Sequence, residues 1–349
     1  LASPTVQQVP RIGDLTDYGS RITDAPMLDP ILHQGANHRV SHTAVSSRKR
    51  LGADRALLAI TVVWGSTFVL VKNAVTGYPV FPFLMLRFAI ATLALAPAVC
   101  WGRCRLRRGD LLAGAGAGCL LFAGYALQTL GLQHTEAAKA GFITGLSVVL
   151  VPVFMAVLWR QLPPRQAIAG TLLATAGLAL LSLNADLSVR RGDLLVLGCA
   201  VGFAGHITTL AVLAPGRNPR VLTLAQVATV TLLSAGASLL GGGVPATPMP
   251  TLGAAAFTGI AATAVAFYVQ TAAQRFTTAT HTALIFTAEP VTAALFGVAV
   301  AGEHLAARGW LGCALILAGV VLGALAQTEG PASDAPVPVA AIDWQEGAG

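Results

Sequence analysis

Residues 127–181, LQTLGLQHTEAAKAGFITGLSVVLVPVFMAVLWRQLPPRQAIAGTLLATAGLALL, decide the fold, because the chain repeats them. Moved along by 142 positions without a gap, Gln128-Thr129 falls on Gln270-Thr271, Thr135 on Thr277, Phe154 on Phe296, Gly170 on Gly312, Ala176-Gly177 on Ala318-Gly319 and Leu180 on Leu322. Self-similarity at a fixed spacing marks a duplicated structural unit. Each copy is two long apolar segments joined by a short polar turn, so the chain is a tandem duplication.

Working outward, the composition says what solvent the copies sit in. Of 349 residues, 55% are hydrophobic and only 11% are charged, with a mean hydropathy of +0.70; water-soluble domains carry about a quarter charged residues. The chain is an integral membrane protein, and its natural unit is the span, roughly 20 apolar residues per crossing helix. Five cysteines, odd in number and in or beside apolar segments, read as small packing residues with no disulfide framework. The net charge of +7 raises nucleic acid as a partner, but the arginines are placed as membrane anchors and no nucleic acid is expected. Membrane lipid is the expected surroundings.

Ten apolar segments follow one another, at about 56–75, 81–101, 111–132, 137–159, 166–183, 194–213, 222–241, 252–273, 279–301 and 305–326. The connections carry helix breakers such as Gly77-Tyr78-Pro79, Pro163-Pro164 and Gly241-Gly242-Gly243, and links this short join antiparallel neighbours. The expected organisation is a disordered cytoplasmic leader over 1–54, a first five-helix repeat over 55–184, a second over 190–326 and a flexible cytoplasmic tail over 327–349. The leader is polar, lacks any sustained period and shows no signal-peptide pattern.

Orientation follows from the basic residues. With the N-terminus inside, the inner connections collect Arg48-Lys49-Arg50, Arg55, Arg103, Arg105, Arg107, Arg108, Arg160, Arg165, Arg217, Arg220 and Arg275, against Arg190, Arg191 and Arg308 outside. That bias puts both termini in the cytoplasm. Five spans per half is an odd number, so the second half inserts upside down relative to the first. The expected fold is therefore all-α, with ten transmembrane helices as two inverted five-helix repeats. Such repeats rock about a central site and open it to alternate sides, which points to transport.

Several short fragments keep a recognisable order along the chain: Trp64-Gly65-Ser66-Thr67-Phe68 with Lys72, Arg87-Phe88, the Gln128/Gln270 pair, Gln226, and Glu289-Pro290 with Glu303. Taken together over 55–326 they resemble the EamA-type family of the drug/metabolite transporter superfamily. The resemblance implies ten helices in two EamA repeats, the last helix of each half peripheral, and a central pathway for a small metabolite. It also implies secondary transport, most often export of amino acids, related metabolites or drugs. The first repeat departs from the second at Gln161, which stands where Glu303 stands, and at Pro152, four residues beyond the match to Pro290.

The candidate site residues are those that are costly to keep in a bilayer. A charge at its centre costs about 2.5–3.5 kcal/mol on insertion scales. Glu289 lies mid-span, and Pro290 beside it removes a backbone donor and frees a carbonyl one turn earlier; it is the expected proton-coupling acid or the partner of a cationic substrate group. Arg87 and Lys72 are candidates for a gate or for interfacial anchors, Arg87 reaching either a cavity or the headgroups. His206 and His281 are titratable groups that relay protons, contact substrate or simply pack. Gln128 and Gln270 hold matching places in the two copies, with Tyr125 and Tyr268 about one turn away. Gln226 and Trp64 complete the expected substrate-binding set; helix-to-helix hydrogen bonding is the competing account for the amides. Gly114-x3-Gly118, Gly141-x3-Gly145 and Gly319-x3-Gly323 read as close-packing faces.

Other chemistries lack their residues. Glu303-His304 has no second histidine for a metalloprotease, Gly145-Leu146-Ser147 stops short of a hydrolase elbow, and the Gly114–Gly118 run lacks the strand and the Gly-Lys-Ser/Thr of a phosphate loop. No metal, cofactor or enzymatic activity is expected. Connections this short leave no room for a nucleotide-binding domain. The reading is a secondary transporter of a small-molecule substrate, exporter favoured and proton coupling open, with a non-transporting scaffold or receptor as the alternative; monomer and homodimer are both left open.

Overall fold

The computed structural model describes residues 47–135, 137–160, 162–182, 190–301 and 304–329, all within one compact unit. Every regular element among them is helical. In chain order these are α1 Ser47–Thr76, α2 Val80–Cys100, α3 Arg108–Leu132, α4 Ala137–Gly145, α5 Ser147–Trp159, α6 Arg165–Ser182 and α7 Arg191–Leu213. Then come α8 Pro219–Leu240, α9 Met249–Gly259, a π-helix over Ile260–Val265, α10 Ala266–Ala273, α11 Ala279–Phe286, α12 Ala288–Ala301 and α13 Ala307–Glu329. Most of the expected leader and tail, with Gln161 and Glu303, lies outside the described residues. Where it can be compared, the expected leader is too long: α1 already begins at Ser47 and carries Arg48, Lys49, Arg50 and Arg55 on its first turns.

Among the described residues eight helices are long and apolar enough to cross a membrane. The expected spans at 166–183 and 279–301 fall outside that set. The first forms α6, only 18 residues long and headed by Arg165; the second is divided at Thr287 into α11 and α12. The bundle turns large apolar side chains outward, Leu93, Leu112, Leu232 and Leu239 among them, while others such as Phe83, Leu84, Phe88 and Leu121 are fully buried inside it. An apolar outside suits lipid, and glycines at several helix contacts let the backbones approach closely.

Glycine decides the closest contacts. Gly114 and Gly118 of α3 lie against the backbone of α8 at Leu222 and Gln226, and Gly124 of α3 meets Phe203 and Gly202 of α7. Between α6 and α13 a side chain on Gly170 would stand 2.7 Å from the Gly319 carbonyl, and one on Gly177 would stand 2.6 Å from that of Gly312. The lower-numbered glycine of each helix therefore faces the higher-numbered one of the other, so the two helices cross antiparallel. Gly141 departs from the close-packing expectation: nothing lies within 4 Å of where its Cβ would be. Cys100 and Cys119 also depart from the expected packing role, since both are exposed while Cys199 and Cys313 are buried.

Both copies interrupt the same helix. The first break is Leu146, between α4 and α5; the second is Thr287, between α11 and α12. The 142-residue register matches them to within one residue. At the second break Pro290 cannot donate to the Phe286 carbonyl, and the turn tightens through Thr287 N to the Leu284 carbonyl at 3.1 Å. The first break has Gly145 beside it and no proline at the matching place, and it tightens the same way, Leu146 N to the Ile143 carbonyl at 3.2 Å.

Candidate functional site

A cavity of about 710 Å³ opens between the copies. Its wall takes residues from α1, α2, the C-terminal third of α3, α7 and α10 and from both interrupted helices, at Gly145 and Ser147 in one and Thr287 and Glu289 in the other. It reaches Leu132, Leu181, Ser182, His304 and Leu305, all at one end of the bundle. At the other end two clusters close the helices together: Val148, Val151, Met155, Ala279 and Leu284 in one, and Ala53, Leu57, Ile60, Ala273 and Ile285 in the other. The cavity is a cleft with one sealed end.

Of the residues singled out in the sequence, Trp64, Arg87, Tyr125, Gln128, His206, Gln270 and Glu289 line this wall. Gln226 sits one bond behind it, fully buried, with its Oε1 2.8 Å from His206 Nε2 and its Nε2 donating to Thr271 Oγ1 at 3.3 Å. Gln128 donates to Thr144 Oγ1 at 3.3 Å. Gln270 donates to Gln274 Oε1 at 2.9 Å, and Gln274 in turn donates to the Ile207 carbonyl at 3.1 Å. Tyr268 lies elsewhere, against the Arg220 side chain, and Lys72 is not in the wall. His281, at the sealed end, approaches Asp54 to 3.3 Å off the angle that a hydrogen bond needs.

Two ionisable groups face the cavity differently. Arg87 is buried, donates from Nε to Thr263 Oγ1 at 2.8 Å and from Nη2 to the Tyr125 hydroxyl at 3.2 Å, and its guanidinium carbon stands 4.7 Å from the Tyr125 ring centroid. The Glu289 carboxylate, within electrostatic reach of Arg87, makes no hydrogen bond and no ion pair among the described residues. Aromatic rings surround them. Trp64 packs on Phe267 and Phe286 at 5.6 and 5.0 Å between centroids, and Tyr125 meets Phe203 edge-on at 5.3 Å. The arrangement can hold a small molecule with an apolar body and polar ends.

The sequence reading passed over Thr263, Phe267 and Ser147. For two of them the signal was available: the 142-residue register carries Tyr125 onto Phe267 and Ser147 onto Glu289, and all four line the cavity. The same shift carries Trp64 onto His206. Thr263 belongs to the π-helix, which an apolar run of Ile-Ala-Ala-Thr-Ala-Val does not announce. No cluster of His, Cys, Asp and Glu among the described residues could hold a metal.

Apolar helices around an internal cleft define a multi-pass membrane protein built to admit a solute. The model of the EamA-like transporter family matches residues 53–183 and again 190–324, and the chain belongs to that family of membrane transporters. An uncharacterized transporter of Archaeoglobus fulgidus is 33% identical over 277 residues, 79% of this chain and 87% of that protein. A solved structure described as the crystal structure of a protein shares the fold, with a TM-score of 0.67 and 22% identity over 78% of this chain and 98% of that one.

Proposed function

We propose that the protein is a secondary transporter of a small metabolite, working by alternating access between two inverted five-helix repeats and exporting amino acids, related metabolites or drugs with proton coupling at Glu289. The single observation that carries the reading is the cleft itself, walled by equivalent residues of both copies and bounded at one end by the packed clusters around Val151 and Leu57. Inversion is supported by the glycine crossing of α6 and α13. The helices hold matching places in the two copies and run antiparallel, as a two-fold axis lying in the membrane plane requires. The sealed end then faces the cytoplasm if the positive-inside bias holds.

The test is counterflow in proteoliposomes with a metabolite panel. Trans-stimulated uptake of at least one solute is expected. No flux for any member of the panel, from protein that remains folded, favours the scaffold or receptor reading. For any solute found, transport by Glu289→Gln is measured across a pH series; an unchanged profile removes Glu289 as the coupling acid.

A further inference from the structure

The π-helix of the second copy has no counterpart in the first. Residues 118–123, which match it by the repeat register, lie within the unbroken α3. A π-turn leaves carbonyls and side chains out of the regular ladder and is found mostly at functional sites. Here three interactions converge on it. The Trp64 indole donates to the Ala262 carbonyl at 2.8 Å. Arg87 Nε donates to Thr263 Oγ1 at 2.8 Å. The same hydroxyl donates to the Thr258 carbonyl, five residues back, at 2.9 Å, which fixes its remaining lone pairs toward Arg87. Gly259 lets α2 in close: a side chain there would stand 2.6 Å from the Arg87 carbonyl.

The guanidinium is thus held by one flank. Nε and one Nη2 proton are occupied by neutral oxygens, and Nη1 has no protein partner among the described residues. What is left is the end-on fork of two nitrogens, the geometry that pairs with a carboxylate through two parallel hydrogen bonds. Neither partner oxygen is charged, so the positive charge is oriented without being neutralised by them. One guanidinium balances a monoanion and would leave a multiply charged anion with an uncompensated buried charge.

We infer that Arg87, aimed by Thr263 of the π-turn, is the docking point for a carboxylate group on the transported molecule, with Thr263 as the positioning residue. The inference rests on the transporter reading and specifies the chemistry of its substrate: one carboxylate on an apolar, ring-sized body that lies among Trp64, Phe267 and Phe286.

Equilibrium binding to the purified full chain in detergent tests it without requiring transport. Benzoate is the probe, benzamide its neutral isostere and phenyl phosphate the competing anion class. Saturable benzoate binding is expected, at least about tenfold tighter than benzamide, the step that 1.4 kcal/mol represents, and tighter than phenyl phosphate. Thr263→Val should weaken benzoate by about tenfold while leaving benzamide unchanged, Thr263→Ser should restore benzoate, and Arg87→Gln should lose the preference for benzoate over benzamide. Equal affinity for benzoate and benzamide, absence of saturable benzoate binding, or tighter phenyl phosphate overturns the inference. So does a Thr263→Val protein that discriminates as wild type does. If Thr263→Val fails to fold, the Arg87→Gln ratio decides alone. Binding with these ratios in a protein that shows no flux would retire the transporter reading and leave the carboxylate site standing.

Discussion

The third apolar helix of the first copy and its partner in the second occupy matching places and differ in one respect. α3 runs unbroken from Arg108 to Leu132, whereas its partner is divided by the π-helix over Ile260–Val265. The unbroken helix contributes Tyr125 and Gln128 to the cavity and lays Gly114 and Gly118 against α8. The divided one contributes Phe267 and Gln270 and, through Thr263, the oxygen that holds Arg87. Both copies build the wall, and they differ in the polar groups they place there. The same holds at the helix breaks, where the register places neutral Ser147 opposite acidic Glu289. The two ends of the bundle follow suit. Lys139, which the register carries onto His281, pairs with Asp193 at 2.7 Å, whereas His281 stands 3.3 Å from Asp54 without a hydrogen bond between them.

The largest expected effect breaks the equivalence of the two breaks. Glu289→Gln should abolish pH-driven accumulation, a loss of about tenfold per pH unit imposed for one coupled proton, and leave counterflow intact. Ser147→Ala should change neither. A Ser147→Ala protein as impaired as Glu289→Gln would mean that the breaks act alike and that the carboxylate is not special.

Next comes the contrast between two glycines that the sequence placed in one class. Gly177→Val drives a side chain into the Gly312 carbonyl and the Ile316 amide at 2.6 and 2.8 Å, and backbone cannot yield as a rotamer can. Overpacking of this kind costs about 1–3 kcal/mol, visible as a lower melting temperature in detergent. Gly141→Val meets nothing within 4 Å and should melt as wild type does while cutting flux, because it fills the cavity. Equal loss of stability in both variants would erase the distinction.

The smallest effect separates the amides. Gln226→Leu removes the partner of His206 in a fully buried position and should cost about 1–3 kcal/mol, the penalty for stranding a buried polar group. Gln128→Leu gives up a 3.3 Å bond to Thr144 at a half-buried site, and interhelical bonds of that sort average about 0.6 kcal/mol. Thermal denaturation of the two variants side by side ranks them.

Much of this was legible in the sequence, for identifiable reasons. Eight of the ten expected spans were visible because a bilayer demands long apolar runs, and the duplication because Gln128-Thr129 and Ala176-Gly177 recur at one spacing. Trp64, Arg87, Glu289 and the Gln128/Gln270 pair could be singled out because polar groups are costly in lipid; the structure gathers them around one cleft. Tyr268 was chosen by nearness to Gln270 along the helix, whereas the register points to Phe267, and the structure has Phe267 in the wall and Tyr268 beside Arg220. Gly141 could not be told from Gly145 by spacing, since both fit a small-residue face; only the position of the neighbouring helix separates them. The π-helix left no trace because its residues are all small or apolar except Thr263, whose role appears only once α2 lies alongside.

The central claim is that the open and the sealed end of the cleft exchange, and thiol accessibility at one repeat-related pair tests it most directly. Val151 and Ala293 are 142 positions apart; Val151 is fully buried at the sealed end and Ala293 lines the cavity. In a background with the five native cysteines replaced, Val151→Cys and Ala293→Cys are each labelled with a small maleimide in proteoliposomes. The account predicts that Ala293→Cys labels and Val151→Cys is protected in the state described here, and that adding transported solute on the opposite side raises labelling at Val151→Cys as it lowers labelling at Ala293→Cys. Labelling of the two positions that rises and falls together, or Val151→Cys that never becomes reactive while flux proceeds, would contradict it.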